Sequence, residues 1–173
     1  MLSEEEILAG IDRTARSVTS FYGDEEFVVV SILKGSFVFA SDLVRRIPNR
    51  IELSFVGVSS YRDGTESGPL EWTLFPTEDE FAGRRVLLVD DILDTGRTLS
   101  AVRSELLEQG ARDVHSCVFL DKPARRAVEF RADFVGFEID DVYVVGYGLD
   151  WAGRYRNLPY LAAFSPEADP SRP

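Results

Sequence analysis

The chain has 173 residues, which suits one globular domain with a sizeable core, since about 100–200 residues per domain is the usual range. Its net charge of −11 disfavours a nucleic-acid partner, because such binding draws most of its affinity from Lys and Arg against phosphates. The chain has one histidine and one cysteine, which disfavours a zinc cluster and leaves a single candidate histidine for a Ser-His-Asp triad. The acidic start MLSEEEILAG is unlike a signal peptide, and no apolar run reaches the roughly 18 residues of a membrane span. We therefore expect a cytoplasmic protein with no membrane partner.

Apolar periodicity predicts alternating helices and strands along the chain. Ser3 and Glu6 have the spacing of a capping box at the start of a helix that runs to about Phe21. The other predicted elements are a strand at 27–33, a helix at 37–47, a strand at 51–60, a short strand at 71–74, a strand at 85–90, a helix at 98–109, and strands at 113–120 and 142–146. This alternation is typical of the α/β class, with a mainly parallel twisted sheet flanked by helices.

Two polar segments stand out from this pattern. YRDGTESGPL, residues 61–70, predicts a loop of about ten residues that is either disordered or functional. The last residues, SPEADPSRP, predict a flexible tail over 165–173.

The segment VLLVDDILDTGRTL, residues 86–99, carries the strongest chemical signal. Ligands bind at the carboxyl ends of parallel strands, so the buried strand delivers Asp90 and Asp91 to the ligand edge. A helix N-terminus with free N–H groups follows, flanked by the hydroxyls of Thr95 and Thr98, and such a site binds phosphate. Paired carboxylates accept hydrogen bonds from vicinal hydroxyls. Each residue alone also fits an ordinary strand end or helix cap, but the ordered set favours a ribose 5-phosphate.

Lysine usage supports two further ligand contacts. Of 19 basic residues only Lys34 and Lys122 are lysine. Where arginine is so strongly preferred, a lysine indicates a site that requires a compact ammonium group instead of a planar guanidinium. Chance placement is the alternative.

The segment 86–99 resembles the phosphoribosyl-diphosphate (PRPP) binding motif of the type I phosphoribosyltransferases. ILKGSFVFASDLVRRI resembles the segment by which the 6-oxopurine transferases of that family hold pyrophosphate, and SSYRDGT resembles their mobile lid. LDKPARR and VGFEIDDVYVVGYGLDWAGRYRNLPY resemble the region that builds their purine pocket. The similarity runs from about residue 3 to residue 164.

The resemblance implies the type I phosphoribosyltransferase fold with a small hood subdomain. It implies one domain over 1–164, with a lid loop at about 60–75 and a hood drawn mainly from 121–164. The implied activity is that of hypoxanthine-guanine phosphoribosyltransferases in purine salvage. They transfer the 5-phosphoribosyl group from PRPP to N9 of hypoxanthine or guanine, which gives IMP or GMP and pyrophosphate.

The resemblance also assigns roles on the PRPP side of the site. Asp94 is expected near purine N7 as the general acid/base, a role that requires hydrogen-bond reach of its proton. Asp90 and Asp91 are expected to bind the ribose hydroxyls, partly through Mg²⁺. The residues expected to cradle the 5′-phosphate are Asp94, Thr95, Gly96, Arg97 and Thr98.

Further roles carried by the resemblance concern pyrophosphate, the purine and the lid. The expected pyrophosphate contacts are Lys34, Gly35 and Arg156, and in the family the peptide before that lysine can be cis. The expected purine contacts are Lys122 on the 6-oxo group, Tyr143 on the ring face, the backbone of Val144, and Asp150. Asp150 is also expected to bind a second Mg²⁺, and Ser60 and Tyr61 are expected to close over the site and exclude water.

Some positions depart from the family pattern or fit a second interpretation. Trp151 stands where the family usually has Tyr, and Arg97 stands where an apolar residue is more usual. The stretch GPLEWTLFPTEDEF after the lid matches the family poorly. On pattern alone an aromatic residue such as Tyr143 is more often a core residue than a stacking platform.

Two rival functions remain. An RNA-binding attenuator of pyrimidine operons shares the fold and the TGRT sequence, but the charge of −11 and the purine-pocket segments favour the enzyme. A transferase for adenine or orotate is the second rival. Lys122 disfavours adenine, whose 6-amino group is itself a donor. The preference among hypoxanthine, guanine and xanthine stays open, and the resemblance implies a homodimer or homotetramer.

Overall fold

The structure is a computed structural model that describes residues 1–60 and 70–165. Its elements in chain order are α1 (Glu4–Tyr22), β1 (Phe27–Leu33), α2 (Phe37–Val44), β2 (Ile51–Ser60), β3 (Leu70–Leu74), α3 (Glu78–Phe81), β4 (Arg85–Leu93), α4 (Arg97–Glu108), β5 (Asp113–Asp121), a 3₁₀ turn (Pro123–Arg125), β6 (Phe134–Glu138), β7 (Val144–Val145) and β8 (Ala162–Ala163). The predicted α/β class is confirmed. Tyr61 with most of the predicted lid loop, and nearly all of the predicted tail, lie outside the described residues.

A six-stranded sheet in the order β3-β2-β1-β4-β5-β6 forms the centre of the fold. Every neighbouring pair is parallel except β2 and β3. From β1 the chain builds outward to β2 and β3 on one side, and from β4 it builds outward to β5 and β6 on the other. The topological switch point therefore lies between the carboxyl ends of β1 and β4, where ligands bind in open α/β sheets.

Both faces of the sheet are buried, which explains why the central strands are almost wholly apolar. Val29, Leu87 and Val89 face a core shared with α1 and α2. Val28 and Leu88 face a second core that includes residues of α3 and α4. Each such side chain contributes about 1.5–3 kcal/mol when fully buried.

The first helix begins with the predicted capping box. The Glu6 amide donates to Ser3 Oγ at 3.2 Å, and the Ser3 amide donates to Glu6 Oε2 at 2.8 Å. These hydrogen bonds with Ser3 lower the pKa of Glu6. The chain just before the helix pairs with the hood, because Leu2 and Leu161 exchange backbone hydrogen bonds of 3.1 and 3.0 Å.

Several predicted boundaries were wrong. The strand predicted at 85–90 continues to Leu93, because Ile92 and Leu93 still pair with β5. The helix predicted at 37–47 ends at Val44, before Pro48 would force it to end. The strand predicted at 142–146 is reduced to β7, which pairs with β8 in a separate two-stranded sheet.

Four short elements were missed, namely β6, α3, β8 and the 3₁₀ turn. Strand β6, at the edge of the sheet, has the sequence FVGFE, in which apolar and polar residues do not alternate. Its side chains are exposed and partly buried in an equally irregular order. Helix α3 is only four residues long, too short for helical periodicity to show in the sequence. Among the helices that the structure describes, none is both long and apolar enough to cross a membrane.

Candidate active site

The loop after β1 meets β4 at the switch point. The peptide between Leu33 and Lys34 is cis, as in the family pattern. A Cβ atom added at Gly35 would overlap the carboxylate of Asp91, so only glycine fits between this loop and that side chain. The predicted pyrophosphate loop is thus in direct contact with Asp91, one of the two predicted ribose carboxylates.

Asp90, which is buried, and Asp91, which is partly exposed, form an acidic pair near the carboxyl end of β4. Asp90 is 8% exposed, and its Oδ1 accepts the Asp91 amide at 3.0 Å. Burial and the neighbouring charge of Asp91 raise the pKa of Asp90 well above its usual range. Burial also raises the pKa of Asp91, an effect that the charge of Arg156 partly opposes. A bound cation, or hydroxyl donors, would offset the cost of two carboxylates in this position.

The predicted phosphate loop leads into α4 without a side-chain cap. Gly96 occupies the N-cap in a left-handed conformation, with φ of 83° and no side-chain hydrogen bond to the first turn. The Arg97 amide lies 3.4 Å from Thr95 Oγ1, a long contact. The helix begins at Arg97 rather than at the predicted Thr98. Because Gly96 has no side chain to cap it, the start of α4 has the form of a helix N-terminus that can bind an anion such as phosphate.

Residues 122–128, which we call the strap, run along the back of this loop. The Lys122 amide donates to the Leu93 carbonyl, and the Ala127 amide donates to the Thr95 carbonyl, each at 2.9 Å. The resemblance placed LDKPARR at the purine pocket. It did not predict that the strap also supports the loop that follows β4.

Lys122, at the start of the strap, is only 7% exposed. Within residues 1–60 and 70–165, no side-chain hydrogen bond or ion pair involves its ammonium group. A buried lysine without such a partner is unusual, because taking a charge out of water costs free energy. Its donors are therefore open to a ligand that reaches the end of β5.

The C-terminal part of the predicted hood, residues 139–164, reaches back to the same crevice. A Cβ atom added at Gly148 would overlap the Gly35 carbonyl, so the hood backbone lies directly on the pyrophosphate loop. Arg156 pairs with Asp150 at 2.7 Å and donates to the Gly148 carbonyl at 2.6 Å. The other oxygen of Asp150 accepts the Gly153 amide at 2.7 Å. The charge of Arg156, held on the predicted purine side of the site, also acts on Asp91.

Tyr143 lies at the edge of an aromatic cluster rather than in the core. Its ring is 44% exposed, and its hydroxyl donates to the Asp150 carbonyl at 3.1 Å. Trp151 lies 5.2 Å from Tyr143 and 5.5 Å from Phe164, measured between ring centroids. The buried Val144 follows directly. The exposure of Tyr143 leaves it accessible to a planar ligand, so the alternative of a core residue is not supported.

The acidic pair suits a magnesium ion that is bound together with substrate phosphates, rather than one held wholly by protein side chains. Mg²⁺ prefers oxygen ligands and is held by one or two carboxylates together with substrate phosphates. In the described ranges, no group of three or more His, Cys, Asp or Glu side chains is placed to hold a metal. Asp90 and Asp91 match this mode of binding, whereas Asp150 is engaged by Arg156.

Comparison with known families decides the classification. Residues 1–152 match the family described as "Phosphoribosyl transferase domain". The chain belongs to this family. The match covers most of the residues that form the crevice, including the acidic pair, the loop before α4 and the strap.

Relatives within the phosphoribosyl transferase domain family cover nearly the whole chain. The hypoxanthine-guanine phosphoribosyltransferase of Aquifex aeolicus is 45% identical over 160 residues, which are 92% of this chain and 90% of that protein. The hypoxanthine phosphoribosyltransferase of Escherichia coli is 41% identical over 93% of this chain and 92% of its own length.

Solved structures extend the likeness to three dimensions. A hypoxanthine-guanine phosphoribosyltransferase from Bacillus anthracis superposes with a TM-score of 0.90 at 38% identity, covering 95% of this chain and 97% of that one. A hypoxanthine phosphoribosyltransferase from Staphylococcus aureus also gives 0.90 at 38% identity, covering 96% and 91%. The predicted family and the type I phosphoribosyltransferase fold are confirmed. The boundary of a single domain at residue 164 stays a prediction.

The crevice of this phosphoribosyl transferase domain contains residues that sequence reasoning did not single out. Arg125 pairs with Asp94, and Arg126 contacts the loop backbone. The only sequence signal was the RR pair inside LDKPARR, which does not indicate a partner more than 30 residues earlier. Ser60 ends β2, where only its backbone is described, and Tyr61 lies outside the described residues.

Proposed function

We propose that this chain is a purine-salvage enzyme that transfers the 5-phosphoribosyl group of PRPP to N9 of hypoxanthine or guanine. The products are IMP or GMP and pyrophosphate. The single observation that carries the proposal is the junction of β1 and β4, where Gly35 lies against Asp91 of the acidic pair, beside a helix start whose N-cap is Gly96. Relatives that bear the names of such enzymes, at 41–45% identity, support the choice of reaction.

Residues at the strand ends hold PRPP in this proposal. The amides and hydroxyls of 94–98 bind the 5′-phosphate, and Asp90 and Asp91 accept hydrogen bonds from the ribose hydroxyls. Lys34, Gly35 and Arg156 bind the pyrophosphate. Their N–H groups stabilise the negative charge that develops as the C1′–O bond breaks.

The purine is held on the opposite side of the reacting carbon. Lys122 donates to the 6-oxo group, Tyr143 stacks on the ring, and the backbone of Val144 with Asp150 contacts the base edge. Asp94 accepts the proton from the purine as N9 attacks C1′, and Ser60 and Tyr61 close over the site. A carbonyl oxygen at position 6 can accept a hydrogen bond from the ammonium of Lys122. The 6-amino group of adenine is itself a donor and could not accept one there.

Asp90 and Asp91 would hold magnesium on the PRPP side. Asp150, whose carboxylate pairs with Arg156 in this structure, is the proposed ligand of a second ion and would exchange that ion pair for the metal. Bound there, Mg²⁺ would neutralise charge on the pyrophosphate leaving group. We further propose a cytoplasmic homodimer or homotetramer that takes small-molecule substrates rather than nucleic acid.

The test is nucleotide formation from magnesium PRPP, with hypoxanthine, guanine, xanthine, adenine, orotate and uracil compared side by side. Turnover with hypoxanthine and guanine is expected, and the xanthine reaction measures the breadth of the pocket. Turnover with uracil alone, or with none of the bases, would overturn the proposal in favour of the pyrimidine or regulatory alternative.

A further inference from the structure

Two consecutive arginines of the strap converge on one residue. Arg125 Nε lies 3.1 Å from Asp94 Oδ1. Arg126 Nη1 donates to the backbone carbonyl of Asp94 and, at 3.0 Å, to that of Leu93. Arg126 Nη2 is in turn paired with Asp121 at the end of β5. The side chain and the main chain of Asp94 are thus held from the same strap.

We propose that Arg125 is a positioning residue that orients the carboxylate of Asp94 for proton transfer with the purine. This inference rests on the proposed function, in which Asp94 is the general acid/base. Asp94 follows the last residue of β4, and its side chain is 37% exposed, so packing alone does not select its rotamer. An ion pair through Nε supplies a directional contact that selects one orientation.

Arg125 also connects Asp94 to the hood. Its Nη1 lies 3.7 Å from Asp141 Oδ2, two residues before the proposed stacking ring of Tyr143. The charges of Asp94 and then Asp141 raise the pKa of Arg125. The guanidinium therefore lies between the proposed proton-transfer group and the segment that presents the purine.

The ion pair is too exposed to be a major source of stability. Arg125 is 48% exposed, and exposed ion pairs contribute little to folding because water screens them. Arg126, by contrast, is 17% exposed and bonds to the loop backbone. Removing the Arg125 side chain should therefore change catalysis and leave folding largely intact, whereas Arg126 is not suited to such a test.

The test compares Arg125→Gln and Arg125→Lys with Arg131→Gln, which removes an exposed arginine further along the chain. For Arg125→Gln we expect a fall in kcat of about 10–100-fold, since small misplacement of a reacting group costs on that order. The KM for PRPP should change less than about threefold, because other groups bind PRPP. Arg125→Lys should recover part of kcat, Arg131→Gln should match the unmodified chain, and all three should melt within a few degrees of it.

A double-mutant cycle with Asp94→Asn separates positioning from a general structural effect. If Arg125 acts through Asp94, Arg125→Gln should lower kcat less than about twofold in the Asp94→Asn background. An equal loss in both backgrounds, or a kcat for Arg125→Gln within twofold of Arg131→Gln, would overturn the inference. Absence of turnover by the unmodified chain would instead overturn the proposed function, and this inference with it.

Discussion

Lys122, the proposed contact of the purine 6-oxo group, is unusually buried for a lysine. Its side chain is 7% exposed, and within the described ranges no ion pair compensates its charge. A lysine with so little exposed surface is unusual, because most lysines keep their charged end in water. The sequence pointed to the same residue through its rarity, as one of two lysines among 19 basic residues.

Replacing Lys122 by Arg should therefore weaken purine recognition selectively. The wider planar guanidinium cannot occupy the same narrow position, and loss of a hydrogen bond from a charged donor costs about 1.5–3 kcal/mol. We expect the KM for hypoxanthine to rise at least about tenfold while the KM for PRPP stays nearly constant. Arg50→Lys, at an arginine that is 89% exposed, is the matched control. An unchanged hypoxanthine KM in Lys122→Arg would rule out this role.

At the scale of elements, the short helix α3 is held to the sheet largely by hydrogen bonds, because it is too short to bury much apolar surface. Its four residues are too few to be stable alone. Glu80 Oε1 accepts the Thr77 amide at 2.8 Å, and Glu80 Oε2 accepts Ser54 Oγ at 2.7 Å from β2. Together with the buried Phe81, these bonds attach α3 to the sheet.

Glu80→Ala should destabilise the protein in a pH-dependent way. The bonds from Ser54 and Thr77 lower the pKa of Glu80 below its ordinary value of 4.5. A lowered folded-state pKa means that the carboxylate contributes stability above pH 4.5 and loses it as the pH falls through the folded-state pKa. We expect a loss of about 1 kcal/mol at pH 7 by denaturant unfolding, and a smaller loss near pH 3.

Glu78→Ala is the control for this helix, since it also removes one carboxylate but keeps the hydrogen bond from Ser54 to Glu80. A Glu80→Ala deficit that grows as the pH falls would contradict the interpretation.

At the scale of the whole molecule, the site depends on how the hood packs on the body. The Tyr147 hydroxyl donates to Asp42 of α2, and its ring is 4% exposed. Burial, and the hydrogen bond to Asp42, raise the pKa of Tyr147, so the hydroxyl remains a donor. The next residue, Gly148, lies against the carbonyl of Gly35. The contact between Tyr147 and α2 therefore also holds the hood over the pyrophosphate loop.

Tyr147→Phe should lower both stability and PRPP affinity. A hydrogen bond to a charged group contributes about 1.5–3 kcal/mol, which corresponds to roughly 3–12 °C in Tm for a chain of this size. We expect that loss by differential scanning calorimetry, together with a higher KM for PRPP. Tyr160→Phe removes a hydroxyl from a ring that is 44% exposed and serves as the control. Equal Tm values for the two variants would show that the contact with Asp42 does not anchor the hood.

The sequence by itself determined the central strands and the capping box of α1, and it singled out the residues of the proposed phosphate loop. These features depend on local properties, namely apolar periodicity, capping chemistry and turn residues, which neighbours along the chain are sufficient to define. The resemblance extended this to the family and its reaction. Weakly patterned elements such as β6 and β7 were missed or misplaced, because their residues are selected by packing at the sheet edge and in the hood.

Only the tertiary structure decided which distant residues share the crevice. The contacts of Arg125 with Asp94, of Gly148 with Gly35, and of Tyr147 with Asp42 join segments 31 to 113 positions apart. No local pattern encodes such a contact, because it arises from the packing of the strap and the hood onto the sheet. The local sequence therefore specifies the chemical groups of the site, and packing between distant segments specifies their positions relative to one another.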